Sequence, residues 1–575
     1  MNDFASRPGA EKNAPRKAKA APKPKPKAAA EPKAAEEPSS PVSLRWDLAE
    51  LPSAQHKAGL AGLALCVEFL GRSRDRKGKG TCEIEALDAS GLTLRVDRQG
   101  MQALFDEVYA ASMEEQERDK KFQKKTASGA KVDIEPKKTL EKVVTDKKGV
   151  EKTKTVYVYD QVIPQGALVA EWAGDQHLWL KLWRDLIWGT LRGVPATREA
   201  YNCRAEKREA TDGAEAWDEL VSTPLVGVEL PSTYYLGAQA RSAENVSFRD
   251  VARYRFLLHF WPFVVPIYVP AVVGRDGDRE FVGHAIAVPD VANLQDFVAH
   301  WEQVARERSG DASGYVPRDA VVEIAAEAGL DVARRTFTVV SRLQGAAATR
   351  RWVTAIEVFH VEKEGNNVRL RGVRRIDLQR KRADVYGRVR NAYWSPLFRR
   401  RRIISILDGN ERDPVAAGGL PWWTGFGRLC ATSPEELTIK DSKFRHDCRI
   451  AFTEVEMTES TGESEKTLEQ LIYQVVRTYV LGKLASKHGH KWDEVKGTAK
   501  EKDYNEKKEK VAREAFLAVR SRTGMAFVSY FTGTICSVSQ WLNEKSYLEI
   551  AQALHDEREV ERARSLTLLA LSAVA

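Results

Sequence analysis

The sequence predicts an α+β protein of several domains, with a disordered N-terminal tail and an all-helical bundle at the C-terminal end. Three observations lead to this prediction: a length of 575 residues, a hydrophobic content of 43%, and a change of pattern along the chain. A chain of this length usually forms more than one domain, and this hydrophobic content is ordinary for globular proteins. Strand-like and helix-like patterns alternate up to about residue 456, and only helical patterns follow.

The first 43 residues consist mainly of Ala, Lys, Pro and Glu, with almost no large apolar side chain. Such a segment buries too little apolar surface to offset the entropy of ordering, so residues 1–43 predict a disordered tail. A solubilising role is the favoured interpretation, and a weak attraction to nucleic acid is the alternative. The domains expected after the tail are 44–235, 236–456 and 457–575.

The first of these domains combines strands and helices. Two alternating segments, 82–87 and 92–96, predict a β-hairpin, and a helix is expected near 101–117. Trp and Leu side chains recur at helical spacing over 176–191, which predicts a buried helix. The segment 118–154 holds thirteen basic and six acidic residues. This lysine-rich insertion predicts a long loop or an extended hairpin, solvated by default.

The second domain is predicted to be an α+β body. A helix is expected over 320–333, and apolar runs predict strands at 336–340 and 352–360. The third domain is predicted to be a compact helical bundle. Apolar stripes at helical spacing recur from Leu468 onward, and no proline interrupts residues 457–575.

The formal charge of +9 is concentrated in one short stretch. Thirteen Arg and Lys residues lie between 369 and 402 against only Asp377 and Asp384, so this stretch carries +11 and the rest of the chain −2. Cations so close together repel unless an anion offsets them, and guanidinium groups suit phosphate oxygens. The stretch predicts a nucleic-acid-binding face made of Arg369, Arg371, Arg374, Arg375, Arg380, Lys381, Arg382, Arg388, Arg390, Arg399, Arg400, Arg401 and Arg402.

The arginine stretch is predicted to begin as a strand, after a turn at 365–367. Arg369 and Arg371 would project from one face of this strand, while Val368 and Leu370 pack on the other. Aromatic side chains lie within and beside the stretch, and core packing is the favoured interpretation for most of them, with base stacking as the alternative. They are Tyr386, Tyr393, Trp394, Phe398, Trp422 and Trp423.

Common catalytic motifs are absent from the sequence. It contains no phosphate-binding loop, no G-x-S-x-G elbow and no H-E-x-x-H helix. The dipeptide His446-Asp447 is used by metal-dependent phosphohydrolases, and His488 and His490 offer two imidazoles, but neither pair has evident co-ligands. We therefore expect a non-catalytic protein without metal or cofactor. The alternative is a metal-dependent nuclease or other nucleic-acid-processing enzyme, and a DNA-binding repressor is a third option without a helix-turn-helix signal.

The cysteines and the apolar runs indicate where the protein acts. The six cysteines form no C-x-x-C pair, so neither a disulfide framework nor a zinc site is predicted. No signal peptide is evident, and prolines interrupt the longest apolar run at 257–273. A soluble, cytoplasmic protein that does not enter a membrane is expected.

Two stretches resemble a known family. They are residues 44–63 (LRWDLAELPSAQHKAGLAGL) and 177–195 (HLWLKLWRDLIWGTLRGVP). Both are similar to the large subunit of type I CRISPR surveillance complexes of the I-B-like branch, once called the MYXAN subtype. The overall length and the helical C-terminal region agree with that family.

The resemblance implies a non-catalytic subunit of a crRNA-guided complex. Such a subunit contacts the backbone subunits and the subunit that caps the crRNA end, recognises a protospacer-adjacent motif in double-stranded target DNA, helps to open the duplex and holds the displaced strand of the R-loop. A helicase–nuclease, or a transposition factor in its place, acts afterwards. Two basic segments are candidate DNA-probing loops, with Arg72, Arg74, Arg76, Lys77, Lys79, Lys120, Lys121, Lys124 and Lys125.

Met457 stands where the mixed region gives way to the helical bundle. In systems related to the resembled family, a small helical subunit is made from an internal start in the gene of the large subunit. Met457 is a candidate for such a start, and an ordinary linker methionine is the equally weighted alternative. A small helical subunit is accordingly among the expected partners.

Overall fold

A three-stranded antiparallel sheet and one long helix open the described part of the chain. The computed structural model describes residues 40–575 except 73–79, 126–130, 146–150, 175–176, 192–197, 231–247, 275–277, 345–351, 365–366, 410–418, 456–465, 539–541 and 558. The predicted disordered tail lies outside the described residues up to Ser39. The sheet has the order β1-β3-β2, and its elements are β1 (Val42–Asp47), α1 (Ala54–Arg72), β2 (Cys82–Leu87) and β3 (Gly91–Val96).

Helix α1 is buried along most of its length because two glycines allow close backbone contact. A Cβ atom at Gly59 would lie 2.3 Å from the carbonyl oxygen of Leu257, and one at Gly62 would lie 2.2 Å from that of Phe260. The helix therefore lies directly against the turns at 256–263, and the predicted hairpin at β2 and β3 is confirmed.

The lysine-rich insertion forms an extended antiparallel sheet with the order β4-β8-β7. The predicted helix at 101–117 is too long: it ends at Val108, and the following residues pair as a strand. Alternating Glu115 and Glu117 lie opposite lysines of the same sheet, which favours the strand. The elements are α2 (Arg98–Val108), β4 (Ala111–Arg118), β5 (Gln123–Lys125), β6 (Lys131–Asp133), β7 (Lys138–Thr145) and β8 (Glu151–Pro164).

Short helices and one two-stranded sheet join the insertion to the central region. The helix predicted over 176–191 is confirmed as an α-helix that continues into a π-helical turn, Leu186–Thr190, with Trp179, Leu182 and Trp183 buried. The elements are α3 (Ala167–Ala173), α4 (His177–Asp185), α5 (Arg198–Ala205), α6 (Asp212–Ser222), β9 (Gly227–Leu230), β10 (Phe248–Val251) and α7 (Ala252–Arg255).

A six-stranded sheet forms the middle of the chain. Its order is β12-β11-β13-β17-β18, and β16 pairs with β11 in parallel, so β18 lies at one edge. The strand predicted at 352–360 is confirmed. The elements are β11 (Ile267–Val273), β12 (Arg279–Phe281), β13 (His284–Val291), α8 (Leu294–Arg306), β14 (Ala312–Ser313), β15 (Val316–Pro317), β16 (Val321–Val322), α9 (Glu327–Gln344), β17 (Val353–Glu364) and β18 (Asn367–Asp377).

Helix α9 corrects two predictions. The strand predicted at 336–340 is wrong, because these mostly β-branched residues lie inside the eighteen-residue helix α9. The helix predicted over 320–333 begins only at Glu327, since Val321 and Val322 pair with β11. Asp331 and Arg335 form an ion pair at i,i+4 within α9, a spacing that stabilises a helix and overrides the strand propensity of the next residues.

Helices make up the rest of the described chain, so the predicted α+β class with a helical C-terminal region is confirmed. Helix α19 has buried residues on all sides and packs against α12 and α13 as well as α14 and α16. The domain boundaries, including the one at 456/457, stay predictions. The elements are α10 (Arg380–Ala392), α11 (Pro396–Leu407), α12 (Phe426–Thr432), α13 (Ser442–Ile450), α14 (Leu468–His488), α15 (Trp492–Val495), α16 (Glu501–Arg520), α17 (Gly524–Tyr530), α18 (Glu544–His555) and α19 (Val560–Val574).

Within the described ranges, no helix combines the length and the apolar character needed to cross a bilayer. The cytoplasmic location stays a prediction.

Candidate nucleic-acid interface

The thirteen cations of the arginine stretch do not lie on one continuous face. Four of them, Arg369, Arg371, Arg374 and Arg375, project from the edge strand β18. Their side chains are 61%, 41%, 46% and 47% exposed. The other nine lie on α10 and α11, where Arg382 and Arg402 are buried. The strand predicted at this position is confirmed, and we call its four arginines the β18 arginines.

Carboxylates of the neighbouring strand pair with the first two β18 arginines. Arg371 Nε lies 2.6 Å from Glu362 Oε2, and a second nitrogen of Arg371 contacts Glu364. Arg369 Nη1 lies 2.9 Å from Glu364 Oε2. Val368 and Leu370 pack towards the core, as the alternation predicts. These exposed pairs hold the guanidiniums loosely, because surface ion pairs contribute only about 0–1 kcal/mol.

The other two β18 arginines connect the strand to distant parts of the chain. Arg375 Nη2 lies 2.9 Å from Asp290 Oδ2, and Lys57 Nζ lies 2.9 Å from the other oxygen of Asp290. Burial raises the pKa of Asp290, but the hydrogen bonds from Lys57 and Arg375 outweigh it and hold that pKa below its usual value. Arg374 donates to the carbonyl oxygen of Leu407 at 3.1 Å, at the end of α11.

Arg390 and Arg399 belong to a buried charge network rather than to a surface. Arg390 contacts Asp331, and its Nη2 lies 2.7 Å from Asp319 Oδ1. Asp331 also accepts from Arg335 Nε at 2.7 Å, and both side chains are only 1% exposed. Burial opposes ionisation of Asp331, yet the surrounding guanidiniums lower its pKa below the usual value. Arg399 pairs with buried Glu323. The network neutralises cations that the sequence presents as unpaired.

The remaining members of the stretch are placed individually. Buried Arg382 donates to the carbonyl oxygen of Gly409, and half-buried Arg401 donates to that of Thr424 at 2.9 Å. Arg380 donates to Ser341. The exposed members are Lys381 and Arg388, and Arg400 is half-buried. The expectation of thirteen available cations is therefore corrected: Arg382, Arg390, Arg399 and Arg402 are interior or nearly so, and binding by the exposed members stays a prediction.

The candidate DNA-probing loops are described only in part. Arg72 pairs with Glu171 at 3.2 Å. Lys120 and Lys121 are exposed beyond β4, and Lys121 Nζ lies 5.8 Å from the ring centroid of Tyr157. Lys124 and Lys125 have their backbone in β5, and their side chains lie outside the described residues. Arg74, Arg76, Lys77, Lys79 and Met457 also lie outside the described residues.

The insertion sheet presents a second cationic surface, and its lysines are again paired loosely. Lys138 Nζ lies 3.1 Å from Glu115 Oε1, and Lys142 Nζ lies 2.6 Å from Glu117 Oε2. All four side chains are exposed. Such pairs are screened by salt and can be replaced by contacts with a polyanion, because each contributes little to stability.

The residues of the nuclease alternative have structural partners. Both carboxylate oxygens of Asp447 accept the backbone N–H of Trp394 at 3.0 Å, and one accepts that of Ser395 at 2.6 Å. Burial raises the pKa of Asp447. The ring of His446 stacks on the indole of Trp394, with centroids 4.4 Å apart and planes 9° apart. His490 Nε2 lies 2.8 Å from Asp503 Oδ2. In the described part of the chain, no three His, Cys, Asp or Glu side chains are grouped to hold a metal.

Ser53, His56 and Asp250 form a hydrogen-bonded relay that the sequence did not indicate. Ser53 Oγ lies 2.7 Å from His56 Nδ1, and His56 Nε2 lies 2.8 Å from Asp250 Oδ2. The backbone N–H of His56 also approaches Ser53 Oγ, at 3.4 Å, as an N-capping serine requires. His56 is buried, so the relay fastens the first turn of α1 to β10.

Comparison with known families identifies the family of the chain. A family model described as the type I-B CRISPR Cas8b N-terminal domain matches residues 81–346, and one described as the corresponding C-terminal domain matches residues 353–574. No curated protein matches the chain. The matches define the class of protein, a large subunit of a type I CRISPR surveillance complex. The chain belongs to the Cas8b family of type I-B systems.

Family membership confirms the resemblance and sets the context of the interface. Of the two resembling stretches, 177–195 lies inside the matched region and 44–63 precedes it. Cas8 large subunits are non-catalytic components of a complex that contains other Cas subunits and the crRNA. The junction between the matched domains, 346–353, falls just before β17, so β17, the β18 arginines and α19 all belong to the C-terminal domain.

Proposed function

We propose that this chain recognises a protospacer-adjacent motif in duplex DNA, helps to open the duplex, holds the displaced strand and recruits a helicase–nuclease. The observation that carries the proposal is the match of both Cas8b domains over most of the chain. In a complex of this kind the crRNA supplies sequence choice by base pairing, and the protein contacts the short motif and the DNA backbone.

Two described surfaces support the DNA-contacting part of the proposal. The β18 arginines lie along the edge of the central sheet, and the lysine-rich insertion carries exposed Lys120, Lys121, Lys138 and Lys142. At each surface some cations are held in exposed ion pairs: Arg369 and Arg371 on β18, and Lys138 and Lys142 on the insertion sheet. A DNA backbone offers many phosphates at once and releases counterions on binding, so it competes well against such weak internal pairs.

Salt-dependent binding of the assembled complex tests the β18 arginines. We expect Arg371→Ala with Arg375→Ala to weaken binding to DNA of unrelated sequences about equally. The slope of log K against log salt should become less negative by about 2, since each phosphate that the protein no longer neutralises changes the slope by about 1.

The matched control replaces Arg208 and Arg306, which are exposed to a similar extent, 48% each, and are likewise paired with glutamates. This control should leave the affinity and the slope unchanged. Equal slopes for the β18 variant and the wild type would contradict the proposed interface.

A separate experiment tests whether the chain itself cleaves DNA. The isolated protein with Mg²⁺ or Mn²⁺ should leave single-stranded and duplex DNA intact, and cleavage should require the recruited helicase–nuclease. Metal-dependent cleavage that Asp447→Asn abolishes, without loss of folded structure, would favour the nuclease alternative.

We also propose Met457 as an internal start that yields a free small helical subunit. Such a fragment would begin after α12 and α13, so the side of α19 that these helices cover would need another partner. Intact-mass measurement of the purified complex should detect a species that begins at Met457, and Met457→Leu should remove it. Absence of that species from the wild-type complex would leave Met457 as a linker residue.

A further inference from the structure

A polar cleft of about 850 Å³ lies between the end of the central sheet and the helices that follow it. Its walls come from β11 and β12, from the turns at 311–321, from the junction of α10 and α11, and from the segment that leads into α13. Ligand sites in proteins usually measure about 300–1,000 Å³, so this cleft has the size of a site for a small molecule or for a few monomers of a polymer.

Five acidic side chains line the cleft: Asp319, Glu327 and Asp441 are bonded as follows, Glu436 pairs with Lys440, and Asp311 is exposed. Asp319 accepts from Arg390, Arg335 and the backbone of Ser309. Glu327 accepts from Tyr386 Oη at 3.0 Å and from a backbone N–H. Asp441 caps α13 through the backbone N–H groups of 443 and 444. Apart from Asp311, these acids therefore shape the cleft but offer little to a ligand.

Besides the exposed carboxylate of Asp311, the groups left for a ligand are two cations, an amide and an aromatic surface. The side chains of Arg318, Asn391 and Lys443 are exposed and make no hydrogen bond or ion pair within the described part of the chain. Trp394, which also lines the cleft, is 63% exposed. An exposed indole beside free cations and an amide matches a nucleotide, which has a flat base, polar base edges and a phosphate.

Trp394 is exposed and also held rigidly. Its backbone N–H is bonded to both oxygens of buried Asp447, and one face of its indole is covered by His446 in a parallel stack. A ring that is stacked on one side and still 63% exposed loses little conformational entropy when a base stacks on it. Most aromatic residues of the stretch, including Tyr386, Tyr393 and Phe398, are buried instead, so Trp394 differs from them.

We propose that this cleft binds one unstacked base of a single-stranded nucleic acid, with the base on Trp394 and the flanking phosphates at Arg318 and Lys443. The inference rests on the proposed function, because it supposes that the chain meets nucleic acid. It adds a site remote in sequence from the insertion and distinct from the β18 arginines. Displaced DNA and crRNA share the required chemistry, and the test separates them.

Photocrosslinking of the full chain locates the base directly. Single strands that carry 5-iodouracil, one of DNA and one of RNA with the same sequence, are irradiated with the protein, and adducts are mapped by mass spectrometry. We expect an adduct on Trp394 with at least one of the two strands. An adduct with one strand alone identifies the source, and adducts with both show that the cleft accepts either nucleic acid. Adducts confined to other residues, or no adduct, would overturn the inference.

Equilibrium binding of the same strands measures the contribution of the ring. Trp394→Ala should weaken binding about 5- to 150-fold, the range expected for loss of one base–aromatic stack, and Trp394→Phe should retain most of the affinity. The control is Trp492→Ala, which removes another exposed tryptophan, in α15. Equal affinity of Trp394→Ala and wild type would refute the site.

The two proposals fail separately. If only the cleft is wrong, Trp394→Ala leaves single-strand binding unchanged while the β18 variants still lower the salt slope of the complex. If only the β18 interface is wrong, the adduct on Trp394 still forms and the slope does not change.

Discussion

Replacing Arg390 with alanine should destabilise the protein, although Arg390 and the β18 arginines belong to one basic stretch. The change removes a cation that lies between Asp319 and Asp331. Breaking a buried ion pair costs about 3–5 kcal/mol. Because Arg335 remains on Asp331, we expect a loss near the lower end, about 3 kcal/mol. Asp331→Ala leaves Arg334, Arg335 and Arg390 without their shared carboxylate, so about 5 kcal/mol is expected.

The measurement is the free energy of unfolding from urea titration, and Arg371→Ala is the comparison. Arg371 pairs with Glu362 and Glu364 at the surface, so its replacement should cost only about 0–1 kcal/mol. In DNA binding by the assembled complex, Arg371→Ala should have the larger effect of the two variants, by reducing the salt dependence. Wild-type stability in Arg390→Ala together with weakened DNA binding would refute the division of the stretch into interior and surface cations.

Two further predictions concern the interior. Burial raises the pKa of Glu327 to about 7. The folded state therefore holds a proton that the unfolded state loses near its usual pKa of about 4.3, so the stability that Glu327 contributes at low pH should be lost as the pH rises towards 7. Glu327→Gln should reduce the pH dependence of the urea midpoint between about pH 4.3 and 7. The same pH dependence in the variant and the wild type would contradict the raised pKa of Glu327. Gly59→Ala should lower the free energy of unfolding by about 1–3 kcal/mol, because its Cβ meets the Leu257 carbonyl. Gly189→Ala is the control, since nothing lies within 4 Å of a Cβ there, and it should not destabilise the protein in the same urea titration. Equal losses in the two variants would contradict the close contact of α1.

The sequence was sufficient to predict those helices and strands whose pattern lies in consecutive residues. The hairpin of β2 and β3, the strand β18 and the long helix α14 follow from alternation or from helical spacing over consecutive residues. The error at 336–340 has the same origin, because a short β-branched run resembles a strand. Its helical state depends on the ion pair of Asp331 with Arg335 and on packing of α9 against the sheet.

The acidic partners of the arginines also divide into those close in sequence and those brought near only by the tertiary fold. Glu362 and Glu364 lie at the end of β17, which pairs with the start of β18, so strand register alone places them beside Arg369 and Arg371. Asp319 and Asp331 are about 60–70 residues from Arg390, and only the tertiary fold brings these charges into contact. A count of charges along the sequence therefore overestimates the free cations wherever acidic residues are distant in sequence and close in space.

The ion pairs of the β18 arginines with carboxylates affect the stage at which these arginines would act on DNA. The four guanidiniums have six carboxylates within ion-pair distance, those of Glu362, Glu364, Asp408, Asp290, Glu357 and Asp377. The edge of the central sheet is therefore close to neutral when seen from a distance, and it attracts a polyanion weakly at long range. An arginine at this edge would contribute at contact, when a phosphate replaces a glutamate. Long-range attraction would then come from the exposed lysines that follow β4, so the two surfaces would act at successive stages of one encounter with DNA.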